Sequence, residues 1–376
     1  MMSYNYKIMK TDDMTEPDSP LKVRANLRQL AEHLGLSETT VSRVVNQSPG
    51  AGRISQKTHD RVMEAAARLN YRPSALARSL RSKRSMIVSV IVPEISDGYS
   101  TTVLSGIQDA LLEAGYFYFV VSHRHRAELL YNYPALLISR GVEGIIAVDS
   151  PIEEDVSIPI VSVSGHHRHM SGVNIELDHL LAARYSLEHL KLLGHTRIAF
   201  IKGQAFSSDT QPRWLAIVRM ATELNIEIRP KLTVQLEADS LGFEGGRAAT
   251  VKLLQQKEPF TAIFAFNDYS AIGSMMALRD AGIDVPSQVS VVGFDDIPIA
   301  AIHNPALTTV RQPLQEMGRV AAIELLQMLR TRPAEKNIRT IHVLPTFIER
   351  QSTAAAPQHK ISTKTERFYP VRKQRN

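Results

Sequence analysis

At residue 86 the apolar pattern of the chain changes period, and this constrains the fold more than any single motif. Before it, Leu27, Leu30, Ala31 and Leu34, then Val41, Val44 and Val45, then Val62, Ala65, Ala66 and Leu69 recur at helical spacing. Three helices are expected there. After it, "MIVSVIVPEI" opens a series of β-branched apolar runs that continues with "YFYFVVS", "GIIAVDS", "IPIVSVSG", "RIAFIKG", "TAIFAFND", "VSVVGFDD" and "IHVLPTFIE". Helical stretches fill intervals at 101–114, 178–193, 211–224, 243–256, 269–281 and 314–330. Strands that are apolar on both faces and alternate with helices form doubly wound parallel sheets. Residues 86–354 exceed what one such core holds, so two α/β lobes are expected behind an all-α head.

Charge divides the chain at the same place. From Leu21 to Ser85, thirteen Lys/Arg stand against four Asp/Glu, a net of +9, whereas residues 86–354 carry −6. A compact basic head on an acidic body fits a polyanion partner, although a solvated basic bundle has the same charge. Residues 1–20 are polar, contain Pro17 and Pro20 and carry −2; residues 355–376 are polar and carry +5. Both read as disordered. The expected organisation is an extension at 1–20, a head at 21–72, a connector at 73–85, a core at 86–354 and a basic tail at 355–376. There is no cysteine, which excludes disulfides and thiolate metal sites. The first residues lack the apolar run of a secretory signal, and no stretch approaches the roughly 20 apolar residues of a membrane span. A cytoplasmic protein without a membrane partner is the expectation.

The stretch "LAEHLGLSETTVSRVVN" holds two helices too short to be stable alone. Asn26 is placed to cap the first, Gly35 to end it and Ser37 to cap the second. With Val41, Val44 and Val45 turned inward, Glu38, Thr39, Ser42 and Arg43 are left outward. Two short helices whose second has a polar outer face form a helix-turn-helix, completed by a third helix. The second helix suits the major groove, where Arg43 can read guanine O6/N7. The expected contacts on double-stranded DNA are Thr39, Thr40, Ser42, Arg43 and Asn46. A structural helical hairpin is the alternative.

The segments "LRQLAEHLGLSETTVSRVVN" and "RISQKTHDRVMEAAARLNYRPSALARSL" resemble the DNA-binding head of the lac repressor (LacI/GalR) family. The resemblance continues through about Thr353 in "VEGIIAVDS", "LKLLGHTRIAFIKG", "AFNDYSAIGSMMALRDAGIDVPSQVSVVGFDD", "LTTVRQPLQEMGR" and "LPTFIERQST". It implies a homodimeric transcription regulator, most often a repressor. Its core would be similar to periplasmic sugar-binding proteins, with a sugar or sugar derivative as effector between two lobes. It also implies that "PSALARSL" is a hinge helix formed on the operator, with Leu80 as a minor-groove wedge and Arg78 among the residues that neutralise phosphates. A plain linker is the alternative. The head departs from the family in two places. The loop between Asn46 and Ser55 is longer, and its Gly50, Gly52 and Arg53 either reach phosphate or are slack. Glu38 either accepts from cytosine N4 or serves the helix N-terminus.

For the effector, the resemblance points to Asp178, Arg213 and Asp295, residues able to pair with hydroxyls, each also readable as a salt bridge or helix cap. Tyr99, in "DGYS", keeps one aromatic ring where the family usually has two. Trp214 stacks on a sugar or sits in the core, and the core is favoured. The histidines of "HRH" (123–125) and "GHHRH" (165–169) have loop-like spacing and no accompanying ligands, so no metal and no cofactor is expected. No G-x-S-x-G, Walker lysine loop or H-E-x-x-H is present, so an enzyme is not expected. The rival readings are a sugar-binding transport module and a carbohydrate-processing α/β enzyme.

Overall fold

A computed structural model describes residues 25–46, 51–72, 79, 84–96, 98–152, 156–164, 172–238, 242–331 and 338–357. The chain divides into two compact units, Met1–Ser85 and Met86–Asn376. In the first, α1 (Leu27–Leu34), α2 (Glu38–Val45) and α3 (Gln56–Arg68) enclose Leu30, Ala31, Val41, Val44, Val62, Ala65 and Ala66. Local chemistry fixes each helix start. Asn26 and Gln29 form a reciprocal capping box, each side chain accepting from the other's backbone N–H at 2.9 Å. Ser37 Oγ accepts from Thr40 N at 3.1 Å and Ser55 Oγ from Thr58 N at 3.3 Å. Gly35 ends α1 in the left-handed region, at φ +63.

In the second unit each lobe carries a six-stranded sheet. The strands of the first lobe are β1 (Ile87–Val92), β2 (Phe117–Ser122), β3 (Gly144–Val148), β4 (Ile160–Val163), β5 (Gly172–Leu177) and β11 (Ile338–Val343). They pair in the order β11-β5-β4-β3-β1-β2, all parallel. Those of the second lobe are β6 (Ile198–Lys202), β7 (Thr233–Gln235), β8 (Ala262–Phe264), β9 (Ser290–Asp295), β10 (Thr308–Arg311) and β12 (Thr346–Ile348). Their order is β12-β10-β9-β8-β6-β7, with only β12 antiparallel to its neighbour among the described pairings. Both faces of each sheet are covered. In β1, Val88, Val90 and Val92 enter one core and Ile91 another; in β6, Ile198 and Phe200 enter one and Ala199 and Ile201 another. This is why the strands read as continuous apolar runs.

Helices α4 (Gly98–Glu113), α5 (Ala127–Ser139), α6 (His179–Leu192), α7 (Thr210–Glu223), α8 (Gly242–Gln255), α9 (Asp268–Asp280), α10 (Pro298–Ile302) and α11 (Leu314–Thr331) complete the core unit. The six helices expected from spacing are all present, each within a few residues of the expected bounds. Helix α5 was not expected, since Pro134 interrupts its pattern. Nor were β5, β7 and β10. The run "IHVLPTFIE" is not one strand: β11 belongs to the first sheet and β12 to the second. The backbone crosses between lobes at three points, from β5 to α6, from β10 to α11 and from β11 to β12. The first and third crossings touch, Asp178 N donating to Val343 O at 2.9 Å. The expected hinge residues Arg78 and Leu80, the 1–20 extension, most of the 355–376 tail and the histidines at 165–169 lie outside the described residues.

Candidate functional site

Residues just past the carboxyl ends of β1, β3, β6, β8 and β9 line one cavity of about 470 Å³ between the lobes, the position where open α/β sheets bind ligands. Arg213, in the first turn of α7 and 4% exposed, is the only arginine in the lining among the described residues. Its Nη2 donates to Asp209 Oδ2 at 2.8 Å and its Nη1 to Phe266 O at 2.6 Å. The guanidinium carbon lies 3.8 Å from the Phe294 ring centroid and 4.4 Å from that of Phe266. Asp209 also stands 3.3 Å from His179 Nε2. The arginine charge is thus compensated in place, while its buried Nε has no partner. Asp295, at the end of β9 and 6% exposed, accepts from Gln312 Nε2 at 2.6 Å.

Further carboxylates line this cavity or stand behind it. Asp149 accepts from Ser208 N at 3.0 Å, Ser208 Oγ at 2.5 Å and Ser207 Oγ at 3.2 Å, linking the first lobe to the second. Burial, and then the Asp209 charge, push the Asp149 carboxyl up to about 7. Behind the lining, Asp268 accepts from Thr309 Oγ1 at 2.6 Å and Ile297 N at 2.8 Å. Burial and the Asp295 charge raise it well above the usual carboxylate range. Tyr99 Oη donates to Ser164 Oγ at 3.0 Å, and burial, with Asp209 and Asp149, raises the phenol as well. Such a cavity receives neutral hydroxyl donors readily and opposes anions.

Backbone conformation does part of the positioning. Arg124, His125, Asp149, Ser164, Asp295 and Asp296 all have φ between +41 and +106, each at or just past a strand's carboxyl end. Left-handed non-glycine residues are costly and cluster at functional sites.

On the head, Thr39 and Arg43 of α2 are exposed, with Glu38 beside them. Thr40 is half-buried, its hydroxyl 2.9 Å from Ser37 Oγ. Asn46 ends the helix and donates to Ser42 O at 3.0 Å. Ser42 does not face outward as expected: it is 6% exposed, because it flanks the Val41/Val45 stripe and Asn46 folds over it.

Residues 26–74 match the family described as bacterial regulatory proteins, lacI family, and residues 187–353 match the periplasmic binding protein-like domain. The transcriptional regulator DegA of Bacillus subtilis is 32% identical over 79% of this chain and 89% of its own. The chain belongs to the LacI family. The transcriptional repressor PurR of Erwinia tasmaniensis is 29% identical over 89% of this chain and 98% of its own, and the ribose operon repressor of Haemophilus influenzae 28% over 87% and 98%. The lac repressor dimer bound to operator and the anti-inducer ONPF superposes with a TM-score of 0.77, at 26% identity, covering 88% of this chain and 99% of the other. As a LacI-family member the chain is a ligand-responsive, DNA-binding transcription regulator and not an enzyme; the transport-module reading is likewise not favoured. No helix among the described residues is long and apolar enough to cross a membrane.

Of the effector residues expected from the resemblance, Tyr99, Arg213 and Asp295 line the LacI-family cleft. Asp178 is not in its lining. It is the N-cap of α6, accepting from Leu181 N at 2.9 Å, because it sits at a crossover where a new helix must start. Trp214 is half-buried on the second lobe's core, edge-on to Phe200 at 5.9 Å. The sequence reading missed Asp149, Asp209, Phe206 and Asn267. Asp209 had a signal, standing four residues before Arg213 at pairing distance on a helix. Among the described residues no group of three or more potential metal ligands gathers. His123 is instead buried against Ser150, and His125 lies on Phe206.

Proposed function

We propose that this regulator is a repressor of carbohydrate-related genes. It acts in the cytoplasm as a homodimer on two-fold operator DNA, and a neutral sugar or sugar derivative in the cleft changes its grip. The observation that carries the ligand class is the Arg213–Asp209 pair. With its charge compensated and the Phe266 and Phe294 rings against its guanidinium, Arg213 orients hydroxyls and does not capture an acid; Asp149 and Asp295 supply acceptors. The names of the ribose operon repressor and of the operator-bound lac repressor dimer support the same reading. On DNA, Thr39 and Arg43 carry base reading, while Thr40 and Asn46 hold the ends of α2 toward the backbone. Arg78 and Leu80 follow from the family resemblance, as phosphate contact and wedge.

The mechanism is a population shift. A ligand that bridges Asp149 and Tyr99 of one lobe with Arg213 and Asp295 of the other favours the closed core and biases which head arrangement the dimer holds. The test is selection of bound duplexes from a random pool, repeated with a panel of neutral sugars and of sugar acids. The expected outcome is a palindromic site whose affinity shifts with a neutral sugar. A response confined to sugar acids overturns the ligand class, and absence of any selected sequence overturns the repressor reading.

A further inference from the structure

A second cavity, of about 370 Å³, opens beside the cleft and shares His125, Asp149 and Phe206 with it. The His125 ring lies 4.1 Å from that of Phe206, tilted by 34°, where the two cavities meet. Arg124 and His125 are both left-handed, at φ +49 and +56, so the turn after β2 is strained into placing this ring. The other walls are mostly apolar, from Leu130, Pro134 and Ile152 among others, with Tyr131 beside them.

One buried polar atom of these walls has no partner. His123, 5% exposed, has Nε2 at 3.1 Å from Ser150 Oγ. The Ser150 hydroxyl donates its single proton to Val148 O at 2.7 Å, so toward His123 it accepts. Nε2 therefore carries the imidazole proton, and Nδ1 is an acceptor. Burial, and then His125, lower the His123 pKa to about 4, so the ring is neutral at physiological pH. Nδ1 is buried with no partner in the protein, the state of an acceptor awaiting a donor. His123 and His125 of the motif "HRH" thus line this cavity.

We propose that this cavity is a second subsite of the cleft, and that the effector is an aryl glycoside whose sugar sits between Arg213 and Asp295 and whose ring enters between Phe206 and Leu130, with a phenolic hydroxyl donated to His123 Nδ1. A second sugar would bury several hydroxyls against apolar walls that cannot satisfy them. An aromatic ring with one hydroxyl matches mostly apolar walls that hold one buried acceptor without a partner. The proposal rests on the reading of the cleft as a sugar site.

The test is calorimetric titration of the full chain with methyl, phenyl and 4-hydroxyphenyl pyranosides of glucose and galactose in both anomers, and with the corresponding disaccharides. For the sugar that binds, phenyl is expected to be about tenfold tighter than methyl and 4-hydroxyphenyl tighter again, each tenfold corresponding to about 1.4 kcal/mol. Ala127→Trp, which fills the second cavity, is expected to remove the aryl gain and leave the methyl glycoside unchanged. His123→Phe is expected to erase the difference between phenyl and 4-hydroxyphenyl while keeping the phenyl gain; a merely structural role would weaken both alike. Equal methyl and aryl affinities overturn the subsite and leave the sugar cleft standing. A gain for the disaccharide alone overturns the aryl assignment. No binding by any glycoside overturns the cleft reading itself, and the subsite with it.

Discussion

The head and the cleft solve opposite problems. In the head, each side chain that caps a helix start lies three residues from its partner, as with Asn26 and Gln29 or Ser37 and Thr40. The residues proposed to read DNA are those that the helical period leaves outside a core of seven small or branched side chains. In the cleft, the Asp149–Ser208 contact spans 59 positions, and the hydrogen bond from Gly98 N to Tyr269 Oη spans 171. Its polar groups are buried, mutually compensated and partly held on strained backbone. A surface that reads DNA follows from local amphipathicity, whereas a pocket for a small ligand must be assembled from distant strand ends.

If the two regions are built so differently, a lesion in one should spare the other, and the strongest lesion makes the sharpest test. Leu30→Asp places an unpaired charge in the head core, a change of the kind that exceeds about 4 kcal/mol, and should unfold the head. Gel shifts should show loss of all specific DNA binding, while calorimetry shows unchanged effector affinity. A fall in effector affinity with no DNA present would mean that the folded head itself supports the cleft.

The converse lesion is Arg213→Met. Breaking a buried ion pair on one side costs about 3–5 kcal/mol, because Asp209 loses its cationic partner. The core's melting temperature and the effector response should fall together, with operator affinity retained. The double variant Asp209→Asn with Arg213→Met should recover part of the melting temperature and none of the response. Full recovery of the response would remove Arg213 from the ligand site.

Asp149 gives a smaller effect with a definite sign. Its pKa is raised in the folded chain to about 7 from 3.8, so the folded state holds a proton that the unfolded state has released. The stabilisation is complete below the unfolded value and is lost as pH rises through about 7. Melting of the core should therefore decline across this window, and Asp149→Asn should flatten that decline while leaving the head's transition in place. A profile of the Asn variant that matches the wild type would assign the dependence to another group.

The two mildest tests return to the head. Arg43→Ala should cost about 1–3 kcal/mol of operator binding and relax preference at one symmetric base position, which a repeated selection would detect. An equal loss on all sequences would make Arg43 a phosphate contact. Ser37→Ala should cost the head about 1 kcal/mol in thermal unfolding, by removing the cap of α2 together with its contact to the Thr40 hydroxyl.

Much of the molecule was legible because it is locally determined. The period change at residue 86, the caps at Asn26 and Ser37, the left-handed stop at Gly35 and the strands apolar on both faces all follow from steric and hydrophobic rules that act over a few residues. Helical spacing left Thr39 and Arg43 outside for the same reason. Ser42 was misread because the period gives an angle and not the reach of a neighbour such as Asn46. Tertiary structure alone decided the rest. It split "IHVLPTFIE" between two sheets, turned Asp178 into a helix cap at a crossover and brought Asp149 to Ser208. It also compensated Arg213 with Asp209 between two phenyl rings, and left one nitrogen of His123 without a partner. None of these has a sequence signature that fixes it, since each depends on which distant strand ends meet, and only the packing of two complete lobes settles that.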